Sequence, residues 1–225
     1  MNKNKYLIKC LFCLLFLLGW NCHGSYAQER RKVGLVLGGG GAKGAAEIGV
    51  LKVLEEAEIP IDYIAGTSIG AIVGGLYAIG YDAATLDSLY RNQDWMFLIK
   101  DQVKRESEAF LSKEEKEKYL LHIPLSKEKK VAFTSGGYVA GQNILNLFSK
   151  LTVGYHSVDH FSDLPIPFRC VAVDIVEGKE VVLDSGSLPL AMRASMSIPG
   201  VFSPVEWNGM LLVDGGALNN LPVDV

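Results

Sequence analysis

The stretch "LVLGGGGAKGAAEIG", residues Leu35–Gly49, sets four consecutive glycines between an apolar run and a helical pattern. The apolar run predicts a buried strand, because branched and apolar residues follow one another until glycine stops them. From Ala42 to Ala57, apolar residues recur every three to four positions, which predicts a helix. The glycines therefore predict a loop whose backbone N–H groups can meet an anion.

A second strand and helix follow directly. "IDYIAG" (Ile61–Gly66) predicts a short strand, and the apolar stretch from Thr67 to Gly80 predicts a helix. Two strand–helix units with short connections indicate βαβ order and an α/β fold with a parallel sheet. Two later stretches predict hairpins, "FRCVAVDIVEGKEVVLDSG" and "PVEWNGMLLVDGG".

The glycine loop has two nucleotide-binding interpretations, and both are weak. Gly39-x-Gly41-x-x-Gly44 fits the short dinucleotide pattern, but that pattern needs an acidic residue at the end of the second strand. The only acid of that strand, Asp62, lies at its beginning. A phosphate loop would need Ser or Thr after Lys43, where this chain has glycine. A nucleotide-binding module remains an alternative.

The end of the second strand carries "GTSIG", residues Gly66 to Gly70. Gly-x-Ser-x-Gly between a strand and a helix is the pattern of a nucleophile elbow, in which a sharp turn exposes the serine. Glycines two residues on either side of Ser68 let the backbone pass closely. Loops after adjacent parallel strands lie side by side, so Gly39, Gly40 and Gly41 are predicted to offer N–H groups to an oxyanion on Ser68.

Asp214, in "LLVDGG", is the candidate base because it ends a predicted strand and is followed by Gly215 and Gly216. A carboxylate can accept a serine proton if its surroundings raise its pKa toward the working pH. In a hydrolase with the chain order Ser, Asp, His, the histidine would follow an acid at the end of a late strand, and no histidine of this chain does so. A Ser-His-Asp hydrolase nevertheless stays open, with three candidate histidines: His122, His156 and His160.

Residues 1–27 have a different character from the rest of the chain. A lysine-containing start is followed by an apolar run from Cys10 to Trp20 and by Ser25-Tyr26-Ala27, the small-x-small pattern of a signal-peptidase site. These features predict a signal peptide cleaved before Gln28 and a catalytic domain over residues 28–225. The expected location is the periplasm, the outer membrane or the cell exterior.

Composition excludes some classes of protein. With 22 Lys and Arg against 25 Asp and Glu, the chain has a formal charge of −3 and no basic excess for a nucleic-acid partner. Once the leader is removed, Cys170 is the only cysteine, which excludes an internal disulfide and a cysteine-based zinc site. Its apolar neighbours predict a core residue. No metal or organic cofactor is expected.

The ordered set "GGGAKG", "GTSIG" and "DGG" resembles the patatin-like phospholipases. The stretches "GVLKVLEE" and "MRASMSIPGVFSPV" add to a resemblance that spans Lys32 to Val225. The resemblance implies a three-layer α/β/α sandwich with a mostly parallel central sheet. It also implies a lipid acyl hydrolase that works with a Ser–Asp dyad and no cofactor, acting on a phospholipid or other long-chain ester at a membrane surface.

Position by position, the resemblance implies the nucleophile at Ser68 and the dyad acid at Asp214. The oxyanion hole falls on Gly39, Gly40 and Gly41. Six further positions complete the motifs: Lys43, Gly44, Gly66, Gly70, Gly215 and Gly216. Glu47 stands where many bacterial members have histidine and is interpreted as structural.

The resemblance also bears on how much of a protein this chain represents. The sequence stops soon after Asp214, where an α/β domain would continue, so we expect a domain truncated at its C-terminal end. Some secreted bacterial relatives carry a C-terminal outer-membrane barrel, which the full-length protein could share. An inactive fragment is the remaining alternative.

Overall fold

The computed structural model describes residues 30–103 and 137–225. The predicted signal peptide and His122 lie outside the described residues. Residues Lys32–Val225 form one unit. The strands of the described ranges are β1 (Gly34–Leu37), β2 (Tyr63–Thr67), β3 (Gly137–Val139), β4 (Phe168–Asp174), β5 (Lys179–Leu183), β6 (Gly200–Phe202), β7 (Val205–Trp207) and β8 (Met210–Asp214). The helices are α1 (Ala45–Glu56), α2 (Ile69–Ala78), α3 (Ala83–Asn92), α4 (Trp95–Ile99), α5 (Gln142–Leu151) and α6 (Leu188–Ser195).

The predicted α/β fold with a central sheet is confirmed. Strands β1, β2 and β4 are parallel neighbours, whereas β5 and β8 pair antiparallel with β4, and β7 pairs antiparallel with β8. The sheet is therefore mixed rather than mostly parallel. The reason is that tight turns join β4 to β5 and β7 to β8, and strands joined in this way can only run antiparallel. Gly178, Asn208 and Gly209 supply the positive φ angles of these turns.

Two strands meet end to end along one edge of β4. Strand β5 occupies the other edge along Cys170–Asp174, so β2 and β8 share the free edge. Strand β2 runs parallel to β4 and ends with Thr67 opposite Val171. Strand β8 runs the opposite way and ends with Asp214 opposite Ala172. The residue that follows Thr67 is thereby brought against Asp214.

Helix α2 is the central helix of the core. It is apolar all round and almost entirely buried, as expected of a helix surrounded by protein. Two glycines allow its close packing: a Cβ on Gly74 would lie 2.8 Å from the side chain of Ile64, and one on Gly75 would lie 2.8 Å from Met192 of α6. Helices α2 and α6 pack on the same face of the sheet. This packing fixes the amino end of α2, where Ser68 lies.

The alternation of side chains along the strands separates the two faces of the sheet. On the face that packs against α2, Cys170 is completely buried, which confirms its prediction as a core residue. Burial raises the pKa of its thiol, so the thiol stays protonated at neutral pH. On the opposite face, Tyr63, Val182 and Leu211 are exposed.

Candidate active site

Ser68 forms the turn between β2 and α2. Its backbone has φ 55° and ψ −119°, a conformation that costs a non-glycine residue about 1–3 kcal/mol. The carbonyl of Ser68 accepts N–H bonds from Ala71 at 3.0 Å and from Ile72 at 3.2 Å, so the helix begins at once. The turn leaves the Ser68 side chain outside the helix, as the nucleophile-elbow pattern predicts.

The glycines on either side of Ser68 are required by close backbone contacts. A Cβ on Gly66 would lie 2.5 Å from the carbonyl oxygen of Gly70. A Cβ on Gly70 would lie 2.5 Å from the carbonyl group of Leu37 in β1. Both obstacles are backbone atoms that cannot rotate away, so any side chain would push β1, β2 and α2 apart.

Ser68 and Asp214 are joined by a short hydrogen bond. The Ser68 hydroxyl donates to Oδ2 of Asp214 at 2.6 Å, and the two residues are only 6% and 7% exposed. The other carboxylate oxygen, Oδ1, accepts the N–H of Gly216 at 2.8 Å. The N–H of Asp214 donates to the carbonyl of Ser197 at 2.9 Å. Backbone groups on both sides therefore fix the direction of the carboxylate.

The surroundings of Asp214 favour its protonated form. Burial raises the pKa of this carboxyl above its ordinary value, and the hydrogen bonds from Ser68 and Gly216 offset part of the rise. A carboxylate with a raised pKa holds a proton more tightly than an exposed aspartate does. Asp214 is therefore a stronger base toward the hydroxyl that it contacts.

The glycine loop lies against Ser68, but its first glycine is already bonded. A Cβ on Gly39 would lie 3.2 Å from the Cβ of Ser68. The N–H of Gly39 donates to the Asn220 carbonyl at 3.0 Å, and the Asn220 side chain donates to the Gly39 carbonyl at 3.2 Å. Within the described residues, the N–H groups of Gly40 and Gly41 have no hydrogen-bond acceptor. Of the three predicted donors, these two remain available.

The remaining motif positions support the loop and the turn. A side chain on Gly44 would collide with Ile69 at the start of α2, and one on Gly215 would collide with the carbonyl of Val171 in β4. Lys43 is exposed, and its N–H closes the loop by donating to the Gly40 carbonyl at 3.2 Å. The predicted motif glycines thus lie at points of close chain approach around Ser68.

The two described histidines lie elsewhere. His156 has Nε2 at 3.4 Å from the Thr152 hydroxyl, beyond the end of α5. His160 pairs with Ser185 in an isolated bridge. Among the described residues, neither is a hydrogen-bond partner of Ser68, whereas Asp214 is.

Sequence reasoning assigned no role to three residues that bind this site. The Ser195 hydroxyl accepts the N–H of Ser68 at 2.9 Å. The Asn219 carbonyl accepts the Thr67 hydroxyl at 2.9 Å, and Asn220 holds Gly39 as described above. "NN" shortly after "DGG" and the serine of "RAS" were visible in the sequence, but only long-range contacts reveal what they bind.

Glu47, on α1, is a partly buried carboxylate beneath the glycine loop. Burial raises its pKa to about 7, and the N–H of Gly38, which faces the carboxylate, offsets part of the rise. Its Oε2 atom is buried and has no hydrogen-bond partner among the residues that the structure describes. An ionised carboxylate at this position destabilises the fold.

Glu47→Gln is expected to stabilise the protein at pH 8. The pKa of Glu47 is raised on folding from 4.5 to about 7, so wild-type stability falls as the pH rises through this interval and stays lower above it. Because the side chain is partly exposed, we expect a gain of only about 1–2 kcal/mol at pH 8 and none near pH 4. Chemical denaturation at both pH values measures it.

Glu56→Gln, at the exposed end of the same helix, is the control. It removes the same charge and is expected to change stability by less than about 0.5 kcal/mol at either pH. A Glu47→Gln variant that gained no stability at pH 8 would contradict the interpretation of Glu47.

Two searches of the described residues bear on the class of site. In residues 30–103 and 137–225, no group of three or more His, Cys, Asp or Glu side chains could hold a metal ion. Within the same ranges, every helix is too short or too polar to cross a bilayer.

Comparison with known proteins decides the family. Residues 35–225 match the model of the patatin-like phospholipase family. This range includes nearly all of the residues that the structure describes. The chain belongs to this family. The patatin-like motifs of the glycine loop, the Ser68 turn and Asp214 all lie within the matched range.

Two relatives show how this patatin-like chain compares with longer proteins. An uncharacterized NTE family protein of Mycobacterium tuberculosis is 36% identical over 195 residues, which cover 87% of this chain and 28% of that protein. The neuropathy target esterase sws of Drosophila melanogaster is 32% identical over 231 residues, which cover 100% of this chain and 14% of that protein. The chain thus spans less than a third of either relative.

A solved structure agrees with the fold. VipD from Legionella pneumophila superposes with a TM-score of 0.55 at 17% identity, covering 86% of this chain and 47% of that one. At this identity the likeness concerns the patatin-like fold alone.

The predicted export is wrong. The relatives that match most of the chain are NTE family proteins and neuropathy target esterases, and this similarity does not support export. A basic start followed by a short apolar run is a local pattern of few residues. The signal peptide itself stays a prediction, because residues 1–27 lie outside the described residues.

Proposed function

We propose that this protein is a serine hydrolase that cleaves fatty-acyl ester bonds of phospholipids or related long-chain esters. The observation that carries the proposal is the 2.6 Å hydrogen bond between the Ser68 hydroxyl and the Asp214 carboxylate. A buried carboxylate with a raised pKa, bonded to a serine on a strained turn, is the arrangement that activates a serine without histidine.

In the proposed mechanism, Asp214 accepts the hydroxyl proton while Oγ of Ser68 attacks the ester carbonyl carbon. The N–H groups of Gly40 and Gly41 stabilise the tetrahedral oxyanion, each such donor lowering a barrier by about 3 kcal/mol. The intermediate expels the alcohol, which takes its proton from Asp214, and leaves an acyl group on Ser68. Asp214 then activates a water molecule that releases the fatty acid.

Apolar side chains around the site support a lipid substrate. Ile198 follows the residue that holds the Asp214 N–H, and it is 43% exposed. Asn220, which bonds the glycine loop, is followed by Leu221, and Leu218 lies two residues before Asn220. Both leucines are 56% exposed. Exposed apolar side chains beside a site favour contact with acyl chains and with a membrane surface. The fly relative is itself named an esterase.

A substrate panel tests the proposal. The protein is expected to release fatty acid from lysophosphatidylcholine micelles and phosphatidylcholine vesicles, and nitrophenol from p-nitrophenyl butyrate. A fluorophosphonate probe is expected to label the protein at one site, identified by peptide mass spectrometry as Ser68. Hydrolysis of the nitrophenyl ester alone would support an esterase of small substrates. If the protein showed no labelling and no hydrolysis, that result would support an inactive fragment.

Thermal stabilisation by NAD or ATP, with no hydrolysis, would instead support a nucleotide-binding module. The glycine loop is the sequence feature that suggests such a module. That loop is occupied in part by Asn220, which bonds both the N–H and the carbonyl of Gly39. We therefore expect no shift in melting temperature with either nucleotide.

A further inference from the structure

Ser195, the last residue of α6, contacts the backbone of Ser68. Its side chain is completely buried. The Ser195 hydroxyl accepts the N–H of Ser68 at 2.9 Å and donates to the carbonyl of Val171 at 2.6 Å. Val171 stands opposite Thr67, the last residue of β2, so the hydroxyl bridges the two strands at the point where β2 leaves the sheet.

Without this bridge, two buried backbone groups would lose a partner. The N–H of Ser68 and the carbonyl of Val171 both bond to the same Ser195 hydroxyl, so removal of that hydroxyl affects the two groups together. Buried backbone groups without partners are rare because they lose their bonds to water and gain none in return. Ser68 could then recover a partner only by rotating its backbone.

That rotation would misplace the reacting atom. Ser68 holds φ 55° and ψ −119°, and such a conformation persists only when the surrounding structure enforces it. Gly66 and Gly70 make the turn sterically allowed, but they form no bond to Ser68 that selects it. The bond from Ser195 fixes the direction of the Ser68 N–H, and the side chain follows the backbone.

We infer that Ser195 is a positioning residue for Ser68, whose hydroxyl holds the turn that presents Oγ to Asp214. The inference rests on the proposed role of Ser68. Ser195 contacts the backbone N–H of Ser68 and not its hydroxyl, which bonds Asp214, so Ser195 carries no proton of the reaction.

The chain just beyond Ser195 reaches the other half of the pair. The carbonyl of Ser197 accepts the N–H of Asp214 at 2.9 Å. The guanidinium of Arg193, only 2% exposed, donates to the Ser197 hydroxyl and to the carbonyls of Ala140 and Ser203. The short segment from Ser195 to Ser197 therefore holds both backbones. Ser195 bonds the backbone of Ser68, and Ser197 bonds the backbone of Asp214.

Ser195→Ala and Ser195→Cys test the inference. The alanine variant removes the bridge, and the cysteine variant keeps the volume but replaces the hydroxyl with a weak donor and acceptor. We expect kcat to fall by about 10- to 100-fold in the alanine variant and about 10-fold in the cysteine variant, with KM unchanged within about twofold. The rate constant for fluorophosphonate labelling should fall by the same factors.

Thr152→Ala is the matched control. Thr152 is also completely buried, and its hydroxyl donates to the carbonyl of Phe148 within α5, away from Ser68. This variant is expected to lose thermal stability as Ser195→Ala does, while keeping the kcat and the labelling rate of the wild type. A merely structural role for Ser195 would give the same result in both.

Hydrogen exchange of the Ser68 amide, measured by NMR, tests the role of Ser195 without any measurement of enzyme activity. We expect exchange at least about tenfold faster in Ser195→Cys than in the wild type, and no such change in Thr152→Ala. A folded Ser195 variant with wild-type exchange, labelling and kcat would overturn the inference. A wild-type protein that is inert toward the probe would instead overturn the proposed function, and the exchange comparison would still stand.

Discussion

Ser68→Ala is expected to lower kcat/KM for ester hydrolysis by at least about 10⁴-fold, because removal of a serine nucleophile eliminates the covalent route. The hydroxyl of Ser68 is the donor in the 2.6 Å bond to Asp214, and alanine has no atom that can replace it. Fluorophosphonate labelling should disappear together with activity. Purified variant and wild type are compared at equal concentration of folded protein.

Ser162→Ala is the control for this experiment. Ser162 is an exposed serine whose hydroxyl bonds Asp163, so its loss should leave labelling and hydrolysis unchanged. Labelling that persisted in Ser68→Ala at the wild-type rate would refute the assignment of the nucleophile.

Ser68→Gly separates chemistry from backbone strain. It should be as inactive as Ser68→Ala, but more stable than that variant by about 1 kcal/mol, because a φ of 55° suits glycine. Equal stability of the two inactive variants would mean that the turn carries no such strain.

Asp214→Asn is expected to lower kcat by about 10³- to 10⁴-fold while the protein stays folded. The amide has nearly the same shape and can still contact the Ser68 hydroxyl, but it cannot accept the proton. Burial raises the pKa of Asp214, so its ionised form costs stability as the pH rises above the ordinary pKa of 3.8. The neutral amide avoids this cost, and its melting temperature at pH 7 should equal or exceed that of the wild type.

The pH profile provides a second measurement on Asp214. Only the ionised carboxylate can accept the proton of Ser68, so kcat/KM of the wild type should fall as the pH drops through the pKa of Asp214. Because that pKa is raised, the midpoint of the fall should lie above 3.8. A midpoint at or below this value would argue against the buried carboxylate as the base.

The histidines decide between Asp214 and the remaining alternative. Alanine variants of His122, His156 and His160 are expected to keep most of the activity. If one of them abolished hydrolysis and Asp214→Asn did not, a Ser-His-Asp hydrolase would replace the proposed dyad.

Local features of the site could be predicted from the sequence because each depends on a few consecutive residues. The Gly-x-Ser-x-Gly pattern at the junction of a predicted strand and a predicted helix indicates a sharp turn at Ser68, and that turn needs small neighbours. The α/β fold followed from the order of strands and helices in the same way. The resemblance to patatin-like phospholipases then pairs Asp214 with Ser68, although the two residues are 146 positions apart in the sequence.

Contacts between distant parts of the chain could not be predicted. Nothing near Gly39 indicates that its N–H is bonded to Asn220, a residue 181 positions later. The antiparallel pairing of β8 with β4 depends on which edge of β4 is free, and sequence periodicity does not contain that information. The role of Ser195 depends on the same long-range packing.

The end-to-end meeting of β2 and β8 has a consequence for how the protein acquires activity. The bond between Ser68 and Asp214 closes a loop of 146 residues. Closing a long loop costs conformational entropy before the contacts that it brings together can stabilise the fold. During synthesis, the nascent chain carries Ser68 long before Asp214 has been made. Ester hydrolysis should therefore begin only after β8 docks, which makes probe labelling a late reporter of completed folding.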